Sequence, residues 1–528
     1  MPVWETPPGL LRRAIGSVLE QTFTDFELIV ADDGSTAAEV DRILQRFASD
    51  DSRVRVVGND ENRGIVAASN LALEQATGEF IALMDHDDVL PPHALQTCAQ
   101  MIRDEAPDCD LLYTDEAWVD EDDRIVAPFL KPDWSPERLR CQMYVNHLAW
   151  YRHDLVNRLG GFREGFDGSQ DYDLALRVSE QARRIVHIPE ILYHWRIRPG
   201  QVSGSANPAV YAAARRALED HCRRLGVRGK VEQTDPLGVY RLHREVSGQP
   251  LVSIVIPTRG SAGEVFGRSR VFVTETLKSV EATSTYRNTE YVVVADSQTP
   301  PSVLQELRAV GGDRLTIIDY TRPFNFSHKC NLGVLASRGD YVLLLNDDIE
   351  VITADWIETM LGLAQQEDVG LVGCALYFED GTLQHGGHLY LDGVAGHIGY
   401  GAPADYAGPE STMKLERECS GVTAACALMA RQRYLDLGGM NRDLPVNYND
   451  VDLSMKIRYS GQRIVWTPHA KLYHFESKSR DGMVETTESD QIRTRWAHLL
   501  DGDDPYWRYP DQSWVLAAAS QEGGHSLL

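Results

Sequence analysis

The chain has 528 residues, of which 43% are hydrophobic and 25% charged, a balance typical of a folded globular protein long enough for several domains. Acidic residues outnumber Lys and Arg by 78 to 52, and the formal net charge of −26 argues against nucleic-acid binding because the surface would repel phosphates. Eight cysteines without a Cys-x-x-Cys pair indicate neither a disulfide framework nor a structural zinc site, and favour a reducing, cytoplasmic compartment.

Short apolar runs rich in β-branched residues alternate with helix-like stretches, which predicts β-α-β units, mainly parallel sheets and the α/β class. The apolar runs centre on Ile29, Ile81, Val293 and Leu343, and clear helix-like stretches cover residues 91–103 and 354–366. None of the four runs alternates with polar residues. All four are therefore expected to be central strands that are buried on both faces.

The chain contains a long-range repeat, which predicts two similar domains in tandem. Residues 78–87 and 339–348 are both short apolar runs that begin with Gly and end in acids, and their starts lie 261 residues apart. Three further pairs recur in the same order: residues 28–32 with 292–296, 171–177 with 450–456, and 191–194 with 471–474. Residues 231–250 hold two prolines, several charges and little periodicity. We therefore predict domains at 1–230 and 251–528, joined by a linker at 231–250.

Acidic residues directly follow the predicted strands, at the carboxyl ends where open α/β sheets bind ligands. Asp85 and Asp87 follow the strand at Ile81. Two carboxylates on one rigid edge are close enough to share a hard cation such as Mg²⁺ or Mn²⁺. An isolated Asp-x-Asp is more often a solvated turn, but the strand context and the second copy, which ends in Asp348, favour the cation site.

Two other pairs of repeated acids have a functional and an ordinary interpretation. Asp171 and Asp450 precede patterns typical of a helix N-terminus, where a carboxylate can cap the helix or, at a cleft edge, accept the proton of an attacking hydroxyl. Asp32 and Asp296 end the second predicted strand of each half, where a carboxylate can bind a nucleotide ribose or base. The sequence after Asp32 is also typical of a simple turn.

Five histidines deserve the same comparison of interpretations. His194 and His474 recur in the repeat and could be metal ligands or positioning groups, although an ordinary core or surface histidine is the default. His385, His388 and His397 could also hold a metal. Their irregular, glycine-rich spacing favours a polar loop instead.

These residues resemble the family 2 glycosyltransferases of GT-A fold, in tandem and over nearly the whole chain. The first half is similar to bacterial surface-polysaccharide and O-antigen enzymes through residues 85–88, 129–134, 161–166 and 168–173. The second half is similar to rhamnosyltransferase-like members through residues 325–327, 345–348, 422–426 and 449–452. The resemblance implies two tandem GT-A domains, each Rossmann-like with a mainly parallel sheet.

The resemblance implies a nucleotide-sugar donor, linked to UDP, GDP or dTDP, whose diphosphate is held by Mn²⁺ or Mg²⁺. The cation would lie at Asp87 in the first site and at Asp348 in the second, with His194 and His474 near the diphosphate or the metal. The residues implied to contact the nucleotide sugar are Pro2, Val3, Trp4, Glu5, Asp32 and Asp85 in the first half and Pro257, Thr258, Arg259, Asp296, Asn346 and Asp347 in the second.

Asp171 and Asp450 would be the catalytic bases that deprotonate the acceptor hydroxyl, giving single displacement with inversion at the anomeric carbon. We therefore expect a cytoplasmic, bifunctional, metal-dependent glycosyltransferase that extends a bacterial surface glycan. A lipid-linked acceptor would bring it to the inner face of the cell membrane. Residues 421–430, the longest nearly apolar run, are too short to cross that membrane.

The second half departs from the family pattern around its nucleotide contacts. Asn346 stands where the first half has Asp85, and residues 295–298 read Ala-Asp-Ser-Gln instead of the usual Asp-Asn-Gly or Asp-Asp-Gly. These changes weaken the assignment of nucleotide contacts in the second site.

The first half departs from the pattern at its start. Only Met1 precedes Pro2, whereas the equivalent run in the second half has five residues, 252–256, before Pro257. The hypothesis is a misassigned start or a truncated fragment, and intact-mass analysis of the native protein would test it.

Two alternatives come from other functional classes. Nucleotidyl transfer would need a glycine- and lysine-rich phosphate loop, which neither residues 2–8 nor residues 257–267 provide. In the other alternative, one half is a degenerate module that only binds glycan or nucleotide. Loss of Asp348 or Asp450 would have indicated this, and both are present.

Overall fold

The structure is a computed structural model that describes residues 1–198, 207–391, 394–475 and 486–509. It divides into two compact units, Met1–Leu242 and His243–Leu528. The division falls inside the segment predicted to be a linker. That segment is not irregular, because it includes most of two paired strands, Gly229–Gln233 and Tyr240–Arg244.

The first unit begins with three β-α pairs: β1 (Pro2–Val3), α1 (Pro8–Leu19), β2 (Leu28–Asp33), α2 (Ala38–Asp50), β3 (Val54–Asn59) and α3 (Ile65–Gln75). It continues with β4 (Phe80–Ala82), α4 (Ala94–Asp104), β5 (Leu111–Val119), β6 (Ile125–Phe129), α5 (Pro136–Leu139), β7 (Ala149–Arg152), α6 (His153–Arg158), α7 (Gln170–Ser179), β8 (Ile185–Arg196), α8 (Pro208–Arg224), β9 (Gly229–Gln233) and β10 (Tyr240–Arg244).

Two larger sheets organise the first unit. Strands β1, β2 and β3 form a parallel sheet. The other sheet has the order β4-β7-β5, with β6 and β8 both paired to β5, and in it only β5 and β8 run parallel. The predicted α/β class is therefore confirmed, with parallel pairing concentrated in the strands that begin the unit.

The second unit begins with β11 (Val252–Thr258), β12 (Ala262–Val265), β13 (Arg268–Val271), α9 (Phe272–Thr283), β14 (Thr289–Asp296), α10 (Pro301–Gly311), β15 (Leu315–Tyr320), α11 (Phe326–Ala336), β16 (Tyr341–Leu345), β17 (Ile349–Val351) and α12 (Trp356–Ala364). It continues with β18 (Val369–Tyr377), β19 (Leu383–His385), β20 (His388–Leu391), β21 (Val394–His397), β22 (Arg417–Glu418), β23 (Cys426–Ala430), α13 (Arg431–Asp436), α14 (Asn449–Tyr459), β24 (Arg463–His474) and α15 (Thr486–Leu500). Short 3₁₀ turns cover Gly312–Arg314 and Pro409–Ser411.

The main sheet of the second unit has the order β15-β14-β11-β16-β23-β18-β24-β17. Its first four strands are parallel, and β23 runs antiparallel to both neighbours. Val293 and Leu343 pack in one core cluster while their neighbours Val292 and Leu344 pack in another. Since successive side chains of a strand point to opposite faces, these strands are buried on both faces, as predicted.

The strand at Ile81 differs from this prediction. Ile81 is only partly buried, and its strand β4 pairs with β7 in the described sheet, whereas the equivalent strand β16 pairs with both β23 and β11. Residues of β4, Ile81 among them, line a cavity of about 1480 Å³. The expectation of a strand buried on both faces is therefore wrong for Ile81.

Local sequence explains where the helices begin. The helix-like stretch predicted at 91–103 covers all of α4 but its last residue, and that at 354–366 contains α12. The Asn325 side chain accepts a hydrogen bond from the His328 N–H at 2.8 Å and so caps α11. Every helix in the described parts of the chain is too short or too polar to cross a bilayer.

Candidate active site

The acids of the second unit lie where strand β16 ends. Asp347 accepts a hydrogen bond of 2.6 Å from the Thr258 hydroxyl at the end of β11, so two neighbouring parallel strands meet in one polar cluster. Burial and the adjacent Asp348 carboxylate raise the pKa of Asp347 to about 6, against the opposing effects of Thr258 and Lys329. A proton on Asp347, or a cation beside both carboxylates, is therefore favoured.

His474, which ends β24, faces the same acids. Its Nδ1 lies 2.7 Å from the Gln384 side-chain oxygen, and its Nε2 lies 3.0 Å from the Asn346 amide nitrogen and 3.2 Å from Asp348 Oδ1. In the neutral ring, Nδ1 then carries the proton and Nε2 presents its lone pair towards a carboxylate oxygen. Two electron-rich atoms this close fit a shared divalent cation, with oxygen and nitrogen donors that Mn²⁺ accepts.

Lys329 of α11 contacts two of the residues predicted to bind the nucleotide sugar, Thr258 and Asp296. Its side chain is fully buried, and its ammonium group donates to the Thr258 carbonyl at 2.8 Å and pairs with Asp296 at 2.5 Å. Burial lowers the pKa of Lys329, and the hydrogen bond that its ammonium group donates to Asp296 opposes that shift. The lysine therefore holds together the ends of two neighbouring strands, β11 and β14.

Asp450 lies in the first turn of α14, as its sequence pattern predicted. Its carboxylate accepts hydrogen bonds from the Val451 N–H at 2.9 Å and the Ala424 N–H at 3.3 Å. Backbone donors on the helix and on the loop before β23 thus orient one carboxylate while its remaining lone pairs can accept a proton.

The cluster in the first unit lines the cavity beside β4. The cavity contains Asp85, Asp87, His147 and Asp171 among its lining residues. Asp85 lies 3.7 Å from His147 Nε2, and Asp171 is in the first turn of α7, where the Tyr172 N–H donates to it at 2.8 Å. Burial raises the pKa of Asp171; His147 and the Tyr172 N–H oppose the shift, and Asp85 adds to it.

Asp87, the predicted metal ligand of the first unit, forms an ion pair with Arg198. The next residue, Asp88, is fully buried and accepts hydrogen bonds from the Tyr193 hydroxyl at 2.6 Å and the Arg196 N–H at 2.7 Å. Burial raises the pKa of Asp88 well above its usual range, with contributions from Asp85 and Asp87. Asp88 thus anchors the turn, whereas its neighbours Asp85 and Asp87 line the cavity.

His194 occupies a different setting from His474. Its backbone pairs with Val89, as the backbone of His474 pairs with Ile349. Burial lowers the pKa of His194, and Asp123 and Arg196 are the charged groups that act on its ring. The structure therefore brings His474 to the predicted metal ligand Asp348, whereas the ion-pair partners of Asp87 are Arg198 and His86.

The predicted nucleotide loops follow β1 and β11. Val3 is 1% exposed and packs in the core, whereas Trp4 is 53% exposed. Pro2 is partly buried in β1, Pro257 is buried in β11 and Arg259 is exposed. Trp4, Glu5 and Arg259 are therefore the exposed side chains of these loops.

The first of these loops is tied to the loop after β2. Glu5 accepts hydrogen bonds from the Thr36 N–H at 2.7 Å and the Thr36 hydroxyl at 2.8 Å, and its own N–H donates to Ser35 at 3.0 Å. Asp32 accepts from the Ser35 hydroxyl at 2.6 Å. Glu5 and Asp32 thus belong to one hydrogen-bonded rim.

Sequence reasoning missed His147, Arg198 and Lys329, which contact these acids, and Gln384, which contacts His474. Lys329 left a weak signal, since it is a lysine placed among the buried positions of a short helix. His147 and Gln384 belong to segments that match nothing in the other half, so the repeat could not reveal them.

The two units share an acid cluster at the end of a central strand and a carboxylate in the first turn of a later helix. On a Rossmann-like α/β scaffold, this arrangement defines the GT-A glycosyltransferases. The comparisons with known proteins then name the family.

The chain belongs to glycosyl transferase family 2, whose sequence profile matches residues 1–160 and 253–434. It is 40% identical over 513 residues to "Uncharacterized protein y4gI" of Sinorhizobium fredii, covering 94% of this chain and 55% of that protein. It is 35% identical over 489 residues to "O-antigen biosynthesis protein RfbC" of Myxococcus xanthus, covering 91% of this chain and 37% of that protein. The chain thus spans about half, or less, of the length of these curated relatives. S. aureus TarS 1–349 in complex with UDP-GlcNAc is similar with a TM-score of 0.35 and 22% identity, over 41% of this chain and 63% of that chain.

Proposed function

We propose that the chain is a bifunctional inverting glycosyltransferase, in which each unit transfers one sugar from a nucleotide-sugar donor to a growing, lipid-linked bacterial surface glycan. The observation that carries the proposal is the paired arrangement of Asp171 and Asp450. Each lies in the first turn of a helix, in a unit whose central strand ends in an acid cluster. The likeness to an O-antigen biosynthesis protein supports a polysaccharide product.

The residues of the second unit fit a divalent cation through Asp348 and His474, and those of the first unit offer Asp87. When bound there, Mn²⁺ or Mg²⁺ would neutralise the charge that develops on the leaving diphosphate. Lys329 and Thr258 do the positioning, because they fix Asp296 and Asp347 at the rim where the nucleotide is expected.

Asp171 and Asp450 are assigned the role of general base towards the acceptor hydroxyl. Backbone N–H groups orient both carboxylates, so little reorganisation is needed when the proton arrives. A raised pKa makes Asp171 a stronger base than an ordinary aspartate once it is ionised. Attack on the face opposite the leaving diphosphate gives inversion.

The first test is release of nucleoside diphosphate from UDP-, GDP- and dTDP-sugars, with and without Mn²⁺ and with a lipid-linked acceptor. Asp171→Asn is expected to abolish one transfer and Asp450→Asn the other, while donor binding is retained in both. Asp41→Asn is the matched control, because Asp41 is an exposed acid in the first turn of α2. Full turnover of both sugars in both single variants would refute the two-base assignment.

One observation favours a second candidate, in which the first unit binds donor or glycan without transferring sugar. Arg198 forms an ion pair with Asp87, so a guanidinium group already neutralises the acid that would hold the cation. Under this alternative, Asp171→Asn leaves every transfer intact and Asp450→Asn removes the only one. The same two variants therefore distinguish the candidates.

A further inference from the structure

Three histidines of the second unit lie close together. His385 ends β19, His388 begins β20 and His397 ends β21. The ring centroids are 5.2 Å apart for His385 and His388, 4.9 Å for His385 and His397, and 5.1 Å for His388 and His397. One ligand nitrogen from each ring lies within 4.8 Å of the other two. Rings that converge from three directions are the arrangement of imidazoles around a metal ion.

The backbone that brings these rings together is specific to glycine. Gly387 has a φ of +100°, and a Cβ on Gly386 would lie 2.3 Å from the Met413 methyl carbon, so both positions favour glycine as the chain turns from β19 into β20. His388 and His397 are direct partners across the β20–β21 hairpin. The expected polar loop is therefore wrong, and the glycines behind that expectation form the turn that juxtaposes the histidines.

The surroundings of the three rings favour a metal that binds neutral nitrogen. His385 is 1% exposed and His388 3% exposed, and a neutral imidazole keeps one ring nitrogen lone pair that a metal can accept. The Nδ1 atoms of His385 and His397 are already 2.8 Å apart. The negative charge of Asp450 favours a cation near His388, whereas the positive charge of Arg417 disfavours one near His385.

We propose that His385, His388 and His397 form a binding site for a borderline divalent metal ion, Zn²⁺, separate from the cation site at Asp348 and His474. Imidazole ligands suit Zn²⁺, whereas Mg²⁺ and Mn²⁺ prefer the oxygen donors of the acid cluster. The proposal does not depend on the proposed sugar transfer.

A metal ion bound by the three histidines would also affect the chain segment beside Asp450. The His388 N–H donates to the Gly421 carbonyl at 2.7 Å, and the hairpin thereby contacts the segment that precedes Ala424, a hydrogen-bond donor to Asp450. A zinc ion that joins β19, β20 and β21 fixes this hairpin against that segment. Zn²⁺ is therefore expected to stabilise the second unit whether or not donor is present.

The test uses the full chain, stripped of metal with a chelator and then dialysed against micromolar Zn²⁺, with bound zinc measured by mass spectrometry. We expect one zinc ion per chain in the wild type and in Asp348→Asn, and its loss in His388→Gln and in His397→Gln. His469→Gln is the matched control, a histidine of β24 outside the triad. The midpoint temperature of thermal unfolding should rise on addition of Zn²⁺ in the wild type and not in the triad variants.

Each other outcome overturns the proposal. Wild-type protein that binds no zinc, triad variants that bind it as well as the wild type, or loss of zinc in Asp348→Asn would each place the metal elsewhere or nowhere. If a triad variant fails to fold, X-ray absorption on the zinc-loaded wild type decides the matter. Three imidazole nitrogens at about 2.0–2.1 Å support the site, and fewer than three refute it.

Discussion

Lys329→Met removes the buried ammonium group that joins β11 and β14 while it keeps most of the volume of the side chain. The wild-type ammonium donates to the Thr258 carbonyl at 2.8 Å and pairs with Asp296 at 2.5 Å. Methionine can replace neither contact, so the Asp296 carboxylate and the Thr258 carbonyl lose a donor. The substitution therefore tests whether the lysine holds the rim of the second site.

The magnitude follows from the burial of the two partners. Breaking a fully buried ion pair by removal of one partner costs about 3–5 kcal/mol. The Lys329 side chain is 0% exposed but that of Asp296 is 21% exposed, so water can solvate part of the carboxylate that remains. We expect Lys329→Met to lower the free energy of unfolding of the second unit by about 2–3 kcal/mol, below the cost of a fully buried pair. In the Asp296→Asn background, Lys329→Met should lower the free energy of unfolding by a smaller amount. The difference should be at least about 1 kcal/mol, because contacting pairs couple by about 0.5–3 kcal/mol.

Hydrogen exchange under increasing urea is the appropriate assay, because a chain of two units need not unfold in one transition. Peptides from β11 and β14 report on the second unit, and peptides from β2 and β3 serve as the internal control. A change within about 0.5 kcal/mol of wild type would refute the argument, since that is the range of an uninvolved surface substitution. An equal cost with and without Asp296→Asn would show that the ion pair is not what the lysine supplies.

Three further predictions concern the cation, the base and the packing. Removal of divalent cations with a chelator is expected to abolish donor turnover, followed as nucleoside diphosphate release; unchanged turnover would contradict the fit at the acid clusters. Burial raises the pKa of Asp171, so transfer by the first unit should lose activity in acid at a higher pH than an ordinary aspartate would give. The measurement is kcat/KM against pH in Asp450→Asn protein. An acid limb in the usual aspartate range would contradict this prediction. Gly333→Ala would place a Cβ 2.3 Å from the Val255 Cγ1 and should destabilise the second unit by about 1–3 kcal/mol in urea, whereas Gly16→Ala in α1, with nothing within 4 Å, should stabilise the first unit by up to about 1 kcal/mol.

The sequence predicted the acid clusters well because their placement follows from topology. Parallel strands that start from similar positions end at one edge of the sheet, so residues after β11, β14 and β16 had to meet. Asp347 and Thr258 are 89 positions apart in the chain yet share a hydrogen bond, and both had been assigned to the same site. The helix-start pattern likewise placed Asp171 and Asp450 correctly in the first turns of α7 and α14.

The side chains that balance those acids could not be predicted, because they arrive from elements with no fixed place in the repeat. Lys329 reaches Thr258 from a helix 71 positions along the chain, and Gln384 reaches His474 across 90 positions. The pairing of residues this distant depends on how individual side chains pack. The same limit explains the histidine triad. Its residues are irregularly spaced in the sequence and lie close together only because three short strands carry them, with Gly387 in a left-handed conformation between the first two.

The two units therefore share the position of their acids and differ in how those charges are compensated. In the second unit, the His474 ring lies 3.2 Å from Asp348 Oδ1 and 3.0 Å from the Asn346 amide nitrogen. In the first unit, Arg198 already contributes a positive charge at Asp87. Since a like charge nearby weakens cation binding, a divalent ion at Asp87 should bind less tightly than it would without Arg198. If both units transfer sugar, their metal requirements need not be equal, and this difference follows from the chain's own residues, without reference to either donor.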